Sequence, residues 1–190
     1  MIASGIRYDL IPADIAYGKA YVRELTRYHV SGQLRVAPEH DSPKVLAAMG
    51  KPGKSALLAF KDEFERETKA AGLPQYLSYY FIACHPGCTE RDMAGLKKFC
   101  QETLHVTPEQ AQIFTPTPST WSTTMYYTER HPDSGEHVFV EKDPARKQKQ
   151  KDILTQKTEP AERRAKPDPR RRNGRGGRSG NSLSGERAIQ

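Results

Sequence analysis

Apolar positions follow two alternating rhythms over the first 118 residues. Where apolar and β-branched or aromatic side chains run together between Gly and Pro, a buried strand is expected; where they recur every third or fourth residue, an amphipathic helix is expected. On this basis residues 2–11 read as a strand, followed by a helix that starts at Pro12-Ala13-Asp14, with Asp14 as N-cap and Ile15, Val22, Leu25 and Tyr28 in helical spacing. A second strand covers 32–37 and stops at Pro38. Ser42 caps a short helix over 43–49 with Pro43 in its first position. After the break at 50–53, a long helix over 55–71 carries Leu57, Leu58, Phe60, Phe64 and Ala71 on one face. Gly72 and Pro74 end it. The strongest strand, 75–84, is rich in Tyr, Phe and Ile and closes at His85-Pro86-Gly87. A helix over 89–104 with Met93, Leu96, Phe99 and Cys100 on one side leads to a fourth strand at 111–115, ended by Pro116 and Pro118.

The order is β-α-β-α-α-β-α-β, which predicts a parallel sheet with crossover helices. Four strands are too few to close a barrel, and the first strand has a free edge that invites pairing. The expected fold class is therefore α/β, a partial parallel (β/α) barrel lacking its N-terminal strands. Beyond 118 the rhythm changes. Residues 123–128 and 137–140 read as short extended pieces around a Pro-Asp-Ser-Gly turn, and 142–156 as a marginal helix. The expected organisation is a half-barrel over 1–118, the start of a further domain over 119–156, and a tail over 157–190.

Charge changes the picture only at the C-terminal end. The chain carries +7, yet residues 142–190 hold fifteen basic against six acidic side chains, so the first 141 residues are slightly acidic. The high isoelectric point is thus no sign that the body binds nucleic acid. The tail has no aromatic residue and few aliphatic ones, and cannot offset an ordering cost of roughly 1–2 kcal/mol per residue; it is expected to be disordered. Its Arg-rich stretch, 163–180, suits weak, salt-sensitive contact with nucleic acid. The sequence opens without the basic and apolar regions of a secretory leader, and has no apolar run long enough to cross a membrane. With three cysteines, an odd number, these features point to a cytoplasmic protein without a disulfide framework.

In parallel α/β folds the working residues collect at the C-terminal ends of strands. Here those ends bear Arg7, Tyr8 and Asp9; Pro38, Glu39 and His40; His85 and Gly87; and Thr115 to Thr117. The same stretches resemble YgiQ-type radical SAM proteins. The likeness lies in Ser4-Gly-Ile-Arg-Tyr-Asp-Leu, in the run from His29 to His40, in Val45-Leu-Ala-Ala-Met-Gly-Lys-Pro52, in the run from Gln75 to Gly87, in Asp92-Met93 and in Met125-Tyr-Tyr-Thr128. It covers about residues 2–142, and the stretch 38–49 also resembles the fifth-strand region of radical SAM methylthiotransferases. The resemblance implies a partial barrel that uses a 4Fe-4S cluster and S-adenosylmethionine, with this chain beginning near the fourth strand. It further implies cofactor contacts from Ser4 and Arg7 to the ribose and carboxylate region, from Glu39 and His40 near the adenosyl group or substrate, and from His85 and Gly87 near the adenine. It implies that residues 119 onward open a C-terminal domain of unknown function.

The cluster motif of that family, Cys-x3-Cys-x2-Cys, is not in this chain. Cys84-x3-Cys88 matches its first two members, but the third position is Arg91. Cys84, Cys88 and Cys100 are expected to pack in the interior, and a zinc site on Cys84, His85 and Cys88 lacks a fourth ligand. Arg7 otherwise pairs with Asp9 or a helix end, and His85 serves as a hydrogen-bonded turn residue. Trp121, Tyr126 and Tyr127 are expected to pack against the barrel, not to stack on bases. The alternative to a radical SAM fragment is a non-catalytic α/β binding module whose basic tail contacts RNA or ribosomes.

Overall fold

The parallel α/β alternation expected from the sequence is present in a computed structural model that describes residues 5–156, all within one compact unit. Strands β1 (Gln33–Glu39), β2 (Tyr76–Ala83) and β3 (Gln112–Ile113) form a parallel sheet in that order. Ile6 adds a single parallel bridge to Val36 on the outer side of β1. Strand order thus follows chain order, the winding of a (β/α) barrel wall. The tail over 157–190, its Arg-rich part and the expected cofactor residue Ser4 lie outside the described residues.

Of the strand expected over 2–11, residues 2–4 lie outside the described residues, and among the described ones only Ile6 pairs. Beyond Ile6 the chain turns at once: Leu10 and Ile11 donate to the carbonyls of Arg7 and Tyr8, and a one-turn helix α1 (Leu10–Ala13) follows. Asp14 caps as expected, but it caps a turn, its Oδ1 accepting from the amides of Ala16 and Tyr17. Helix α2 (Gly18–Glu24) starts only after that turn and runs into a π-helical turn at Leu25–His29. The delay reflects a close approach: a Cβ on Gly18 would lie 2.1 Å from the Ile11 carbonyl oxygen, so only glycine fits. Val22 and Leu25 are buried as the spacing requires, whereas Ile15 and Tyr28 face solvent.

Helix α3 (Pro43–Ala48) leads to the long helix α4 (Lys54–Ala71), whose Leu57, Phe60 and Phe64 are fully buried. Phe60 stands 6.1 Å from both Tyr8 and Phe64, tying the first segment to the core. Gly72 ends α4 in the left-handed conformation, with the amide of Leu73 reaching back to the Thr68 carbonyl. The next connection holds a clamp. Gln75 Nε2 donates to the carbonyls of Thr26 (2.8 Å) and Val30 (2.7 Å), groups the π-helical turn leaves without helical partners, while its Oε1 accepts from Thr68.

The helix expected over 89–104 divides into α5 (Glu90–Phe99) and a second π-helical turn (Cys100–Leu104). Thr89 and Asp92 start it with a reciprocal capping box, and Met93, Leu96, Phe99 and Cys100 are buried on the face predicted. Past β3 the expectation of extended structure fails for 123–128. These residues belong to helix α6 (Trp121–Thr128), capped by Thr120. The β-prone Thr and Tyr of this stretch favour extended structure locally, and tertiary packing of Met125 overrides that preference. Residues 137–140 contribute one antiparallel bridge, His137 to Arg130, within an irregular segment. Helix α7 (Pro144–Thr155) is more than marginal: it packs on α5, β2 and β3 and buries Gln150 and Leu154.

Replacing Gln75 by Ala strands two carbonyls near the core and is expected to cost about 1–3 kcal/mol. Urea unfolding measures it; a loss below about 0.5 kcal/mol would show that the clamp is dispensable.

Candidate functional site

Three clusters occupy the C-terminal ends of the strands. The first joins Ile6 and β1. Arg7 makes a forked pair with Asp9, Nε to Oδ1 at 2.9 Å and Nη2 to Oδ2 at 2.6 Å, which holds the Asp9 carboxyl below the usual carboxylate range. Pro38 cannot donate to the ladder, and the β1–β2 register breaks between Val36 and Glu39. Glu39 then adopts φ +66°, a left-handed conformation rare for a side chain with a Cβ. Its Oε1 lies 3.2 Å from Lys51 Nζ, and its Oε2 is buried without a hydrogen-bond partner. Burial raises the Glu39 pKa, and Lys51 partly offsets the rise. Lys51 also favours the ionised form of Asp9, so one ammonium serves two carboxylates. Tyr8 is buried beside them, its phenol pushed up to about 12 by burial and by the charges of Asp9 and Glu39.

The second cluster centres on His40, buried just after Glu39. Its Nδ1 accepts from the amides of Asp41 (2.9 Å) and Ser42 (3.0 Å). In the neutral ring that assigns the proton to Nε2, which faces Cys88 Sγ at 3.5 Å. Asp41 Oδ1 is buried without a hydrogen-bond partner, although it lies 3.3 Å from His40 Nδ1. Ser42, expected to cap α3, instead donates its hydroxyl to Asp92 Oδ1 at 3.1 Å, and Lys44 Nζ lies 2.9 Å from Asp92 Oδ2. Burial works against the Asp92 charge, but the bonds from Thr89 and Lys44 prevail and its pKa is lowered. Asp41, Ser42, Lys44, Arg91 and Asp92 line an open cleft of about 520 Å³.

The third cluster ends β2. Cys84 also turns left-handed, at φ +62°, and its thiol donates to the Lys147 carbonyl at 3.4 Å. His85 is buried: Nδ1 bonds the Pro86 carbonyl at 2.9 Å, so Nε2 accepts from the Ser122 hydroxyl at 2.7 Å. Phe114 stacks edge-on against the ring, with centroids 5.0 Å apart. Burial, reinforced by nearby His40, pushes the His85 pKa down to about 4. Gly87, at φ +86°, donates its amide to the Phe139 carbonyl at 2.7 Å. Of the aromatic residues expected to pack here, Tyr126 does so against Phe114, while Trp121 and Tyr127 are exposed.

The six residues singled out by sequence therefore divide. Arg7 and Glu39 stand together at the β1 end, and only Glu39 presents a buried oxygen with unused bonding capacity. Arg7 is engaged with Asp9, as one reading of its sequence context anticipated. In His40 and His85 both ring nitrogens have partners, and the Gly87 amide is taken by Phe139. Ser4 lies outside the described residues. Sequence reasoning passed over Lys51 and Ser122. Lys51 sits in Gly-Lys-Pro-Gly, which reads as a helix breaker, although a cation in the loop after a short helix has the reach to return to a strand end. Ser122 carries no sequence signal, since its partner is 37 residues away.

The cysteines do not fit a cluster. Cys84, Cys88 and Cys100 are free and buried, and burial pushes each thiol up to about 12. Among the described residues no group of three or more His, Cys, Asp or Glu side chains is placed to hold a metal ion, and no helix is long and apolar enough to cross a membrane. For S-adenosylmethionine the fit is partial: the mixed charges of Arg7, Asp9, Glu39 and Lys51 and the open Glu39 Oε2 suit polar groups of either sign, while the β2 end is already filled.

Fold and site together define a singly wound parallel α/β unit with a mixed-charge cluster at its strand ends. In sequence, the chain is 54% identical over 156 residues to the UPF0313 protein FN0734 of Fusobacterium nucleatum, a match covering 82% of this chain and 28% of that protein. It is 43% identical over 150 residues to a UPF0313 protein of Methanosarcina acetivorans, covering 79% and 20% respectively. With UPF0313 protein MJ1155 of Methanocaldococcus jannaschii the figures are 44% over 140 residues, 73% and 23%. The matched stretch spans between a fifth and a little over a quarter of these relatives. No protein-family model matches the chain.

His85 is expected to stay neutral at pH 6 and to protonate near pH 4. Because its folded pKa is depressed, the stability it confers is complete above about pH 6.5 and is lost as pH falls toward 4, by on the order of 3 kcal/mol. NMR titration of the ring and a comparison of wild type with His85→Asn across that window check it. A titration midpoint near 6.5 would refute the burial argument.

Proposed function

We propose that this chain supplies the back wall of an S-adenosylmethionine pocket in a radical SAM protein of the YgiQ type, with the cluster ligands provided outside this sequence. The observation that carries the reading is the β1 end. There part-buried Glu39, held in a left-handed conformation, keeps one buried carboxylate oxygen unbonded while the other meets Lys51, whose charge also acts on Asp9. A left-handed residue with a side chain is costly, about 1–2 kcal/mol, and such strain gathers at ligand sites. Similarity to UPF0313 proteins supports it, since YgiQ-like radical SAM proteins fall in that group.

In this reading Glu39 Oε2 accepts a hydrogen bond from a hydroxyl or ammonium of the cofactor or substrate. Lys51 favours the ionised form of Glu39 against the effect of burial and orients it. Arg7, released in part from Asp9, offers two parallel N–H donors to a carboxylate. When bound with a reduced cluster, the cofactor supplies the radical chemistry. His40 and His85 shape the wall without contacting the ligand.

The test is cofactor affinity, measured anaerobically with this chain fused to the portion of the Fusobacterium relative outside the matched stretch. Arg7→Ala and Glu39→Gln are each expected to weaken S-adenosylmethionine binding about tenfold, whereas Trp121→Ala leaves it unchanged. Equal affinity in all variants would remove the β1 end from the pocket.

A further inference from the structure

The two faces of the sheet are built differently. Alternate side chains along β1 and β2 point to opposite faces. Leu34, Val36, Leu77, Phe81 and Ala83 turn to the helices and join the hydrophobic core. The intervening positions carry Gln33, Arg35, Tyr76, Ser78 and Tyr80. Gln33 and Arg35 are exposed, and Tyr76 and Tyr80, on the central strand, are 60% and 38% exposed. A parallel sheet covered on both faces reads as nearly continuous apolar sequence, and the interior of a closed barrel is filled mainly by Val, Ile and Leu. This face follows neither pattern, so it is not built to be packed by further protein.

The register fixes how these groups stand. Gln33 lies opposite Tyr76 and Arg35 opposite Ser78, so Arg35 sits beside the midpoint between the two tyrosines. Four residues of strand set the tyrosines about 13 Å apart, too far for one base to lie on both. The Arg35 side chain makes no ion pair or hydrogen bond among the described residues. No carboxylate occurs at positions 33, 35 and 37 of β1 or at 76, 78, 80 and 82 of β2, so nothing on this part of the face offsets the charge of Arg35. Ser78 Oγ, between the tyrosines, has no hydrogen-bond partner. Flat rings spaced along a strand, with a free guanidinium between them, are the parts of a stacking platform for bases.

We propose that this face binds a single-stranded nucleic acid segment. One base stacks on Tyr76 and another on Tyr80, and the Arg35 guanidinium takes a phosphate of the backbone that joins them. Gln33 offers its amide to the edge of the base on Tyr76. The Arg-rich stretch over 163–180 attracts phosphates of single strands and duplexes alike, whereas the sheet face takes only unpaired bases. The S-adenosylmethionine reading concerns the strand end at Glu39. This inference concerns side chains lower on the strands and needs no cofactor, so it stands or falls separately.

The full chain is titrated, without cofactor, into a fluorescein-labelled ten-nucleotide RNA of mixed sequence, either single-stranded or paired with its complement, and binding is read by fluorescence anisotropy. Tyr76→Ala with Tyr80→Ala is expected to weaken single-strand binding about tenfold or more and to leave duplex binding unchanged. Tyr76→Phe with Tyr80→Phe keeps the rings and should keep the affinity. Arg35→Ala should lower the slope of log affinity against log salt by about 0.7, the share of one single-strand phosphate. Thermal melting shows whether each variant is folded; should the alanine pair unfold, the phenylalanine pair and Arg35→Ala carry the test. Four results would overturn the proposal: no loss in a folded alanine pair, equal loss for single strand and duplex, loss in the phenylalanine pair, or an unchanged salt slope in Arg35→Ala. Displacement of the RNA by uridine monophosphate as readily as by unlabelled RNA would overturn it too, since the occupant would then be a free nucleotide.

Discussion

Two neighbouring parallel strands leave the sheet through a left-handed residue, and neither residue is glycine. Glu39 at the end of β1 and Cys84 beyond the end of β2 have φ of +66° and +62°. In each case the next residue is a histidine, and the turn drives its ring inward, where it is buried and bonded through both nitrogens. The left-handed step thus exchanges about 1–2 kcal/mol of backbone strain for a fully satisfied interior imidazole. Without it, His40 and His85 would point along the strand toward solvent, and the amides of Asp41 and Ser42 would lack their acceptor.

The two ends then part in character. At β2 the segment after the sheet closes over everything the strand offers: Ser122 meets His85, Phe139 meets Gly87, and the Lys147 carbonyl meets Cys84. At β1 the bonding is incomplete, with one Glu39 oxygen and one Asp41 oxygen left over among charged neighbours. An unpaired buried carboxylate oxygen is expensive, and the β1 end carries two of them, while Ser78 Oγ on β2 and Gln150 Oε1 on α7 are also buried without hydrogen-bond partners.

Much of the frame was legible from the chain. Gly72 and Pro74 stop α4 where left-handed and helix-breaking residues should, and Thr89 to Asp92 announce α5 by reciprocal capping. These signals are local, and local physics decides them. The first strand misled because its apolar run is cut by the Arg7–Asp9 pair and the turn that follows, which no periodicity records. The helix α6 misled because Thr and Tyr favour strands unless a buried partner such as Met125 overrides them. For the site, strand-end position found Arg7, Glu39, His40, His85 and Gly87, but not which of them are already occupied. That depends on long-range contacts from Cys88 to His40, Ser122 to His85 and Phe139 to Gly87, and sequence spacing is blind to them.

The three sealed thiols carry one more consequence. Because Cys84, Cys88 and Cys100 sit in the interior and hold their protons far above neutral pH, alkylating reagents in solution meet them only when the core opens. They lie in distinct places, at the end of β2, ahead of α5 and at the start of its π-helical turn, so their separate rates of modification would act as three internal clocks, each timing the breathing of its own part of the sheet and its covering helices.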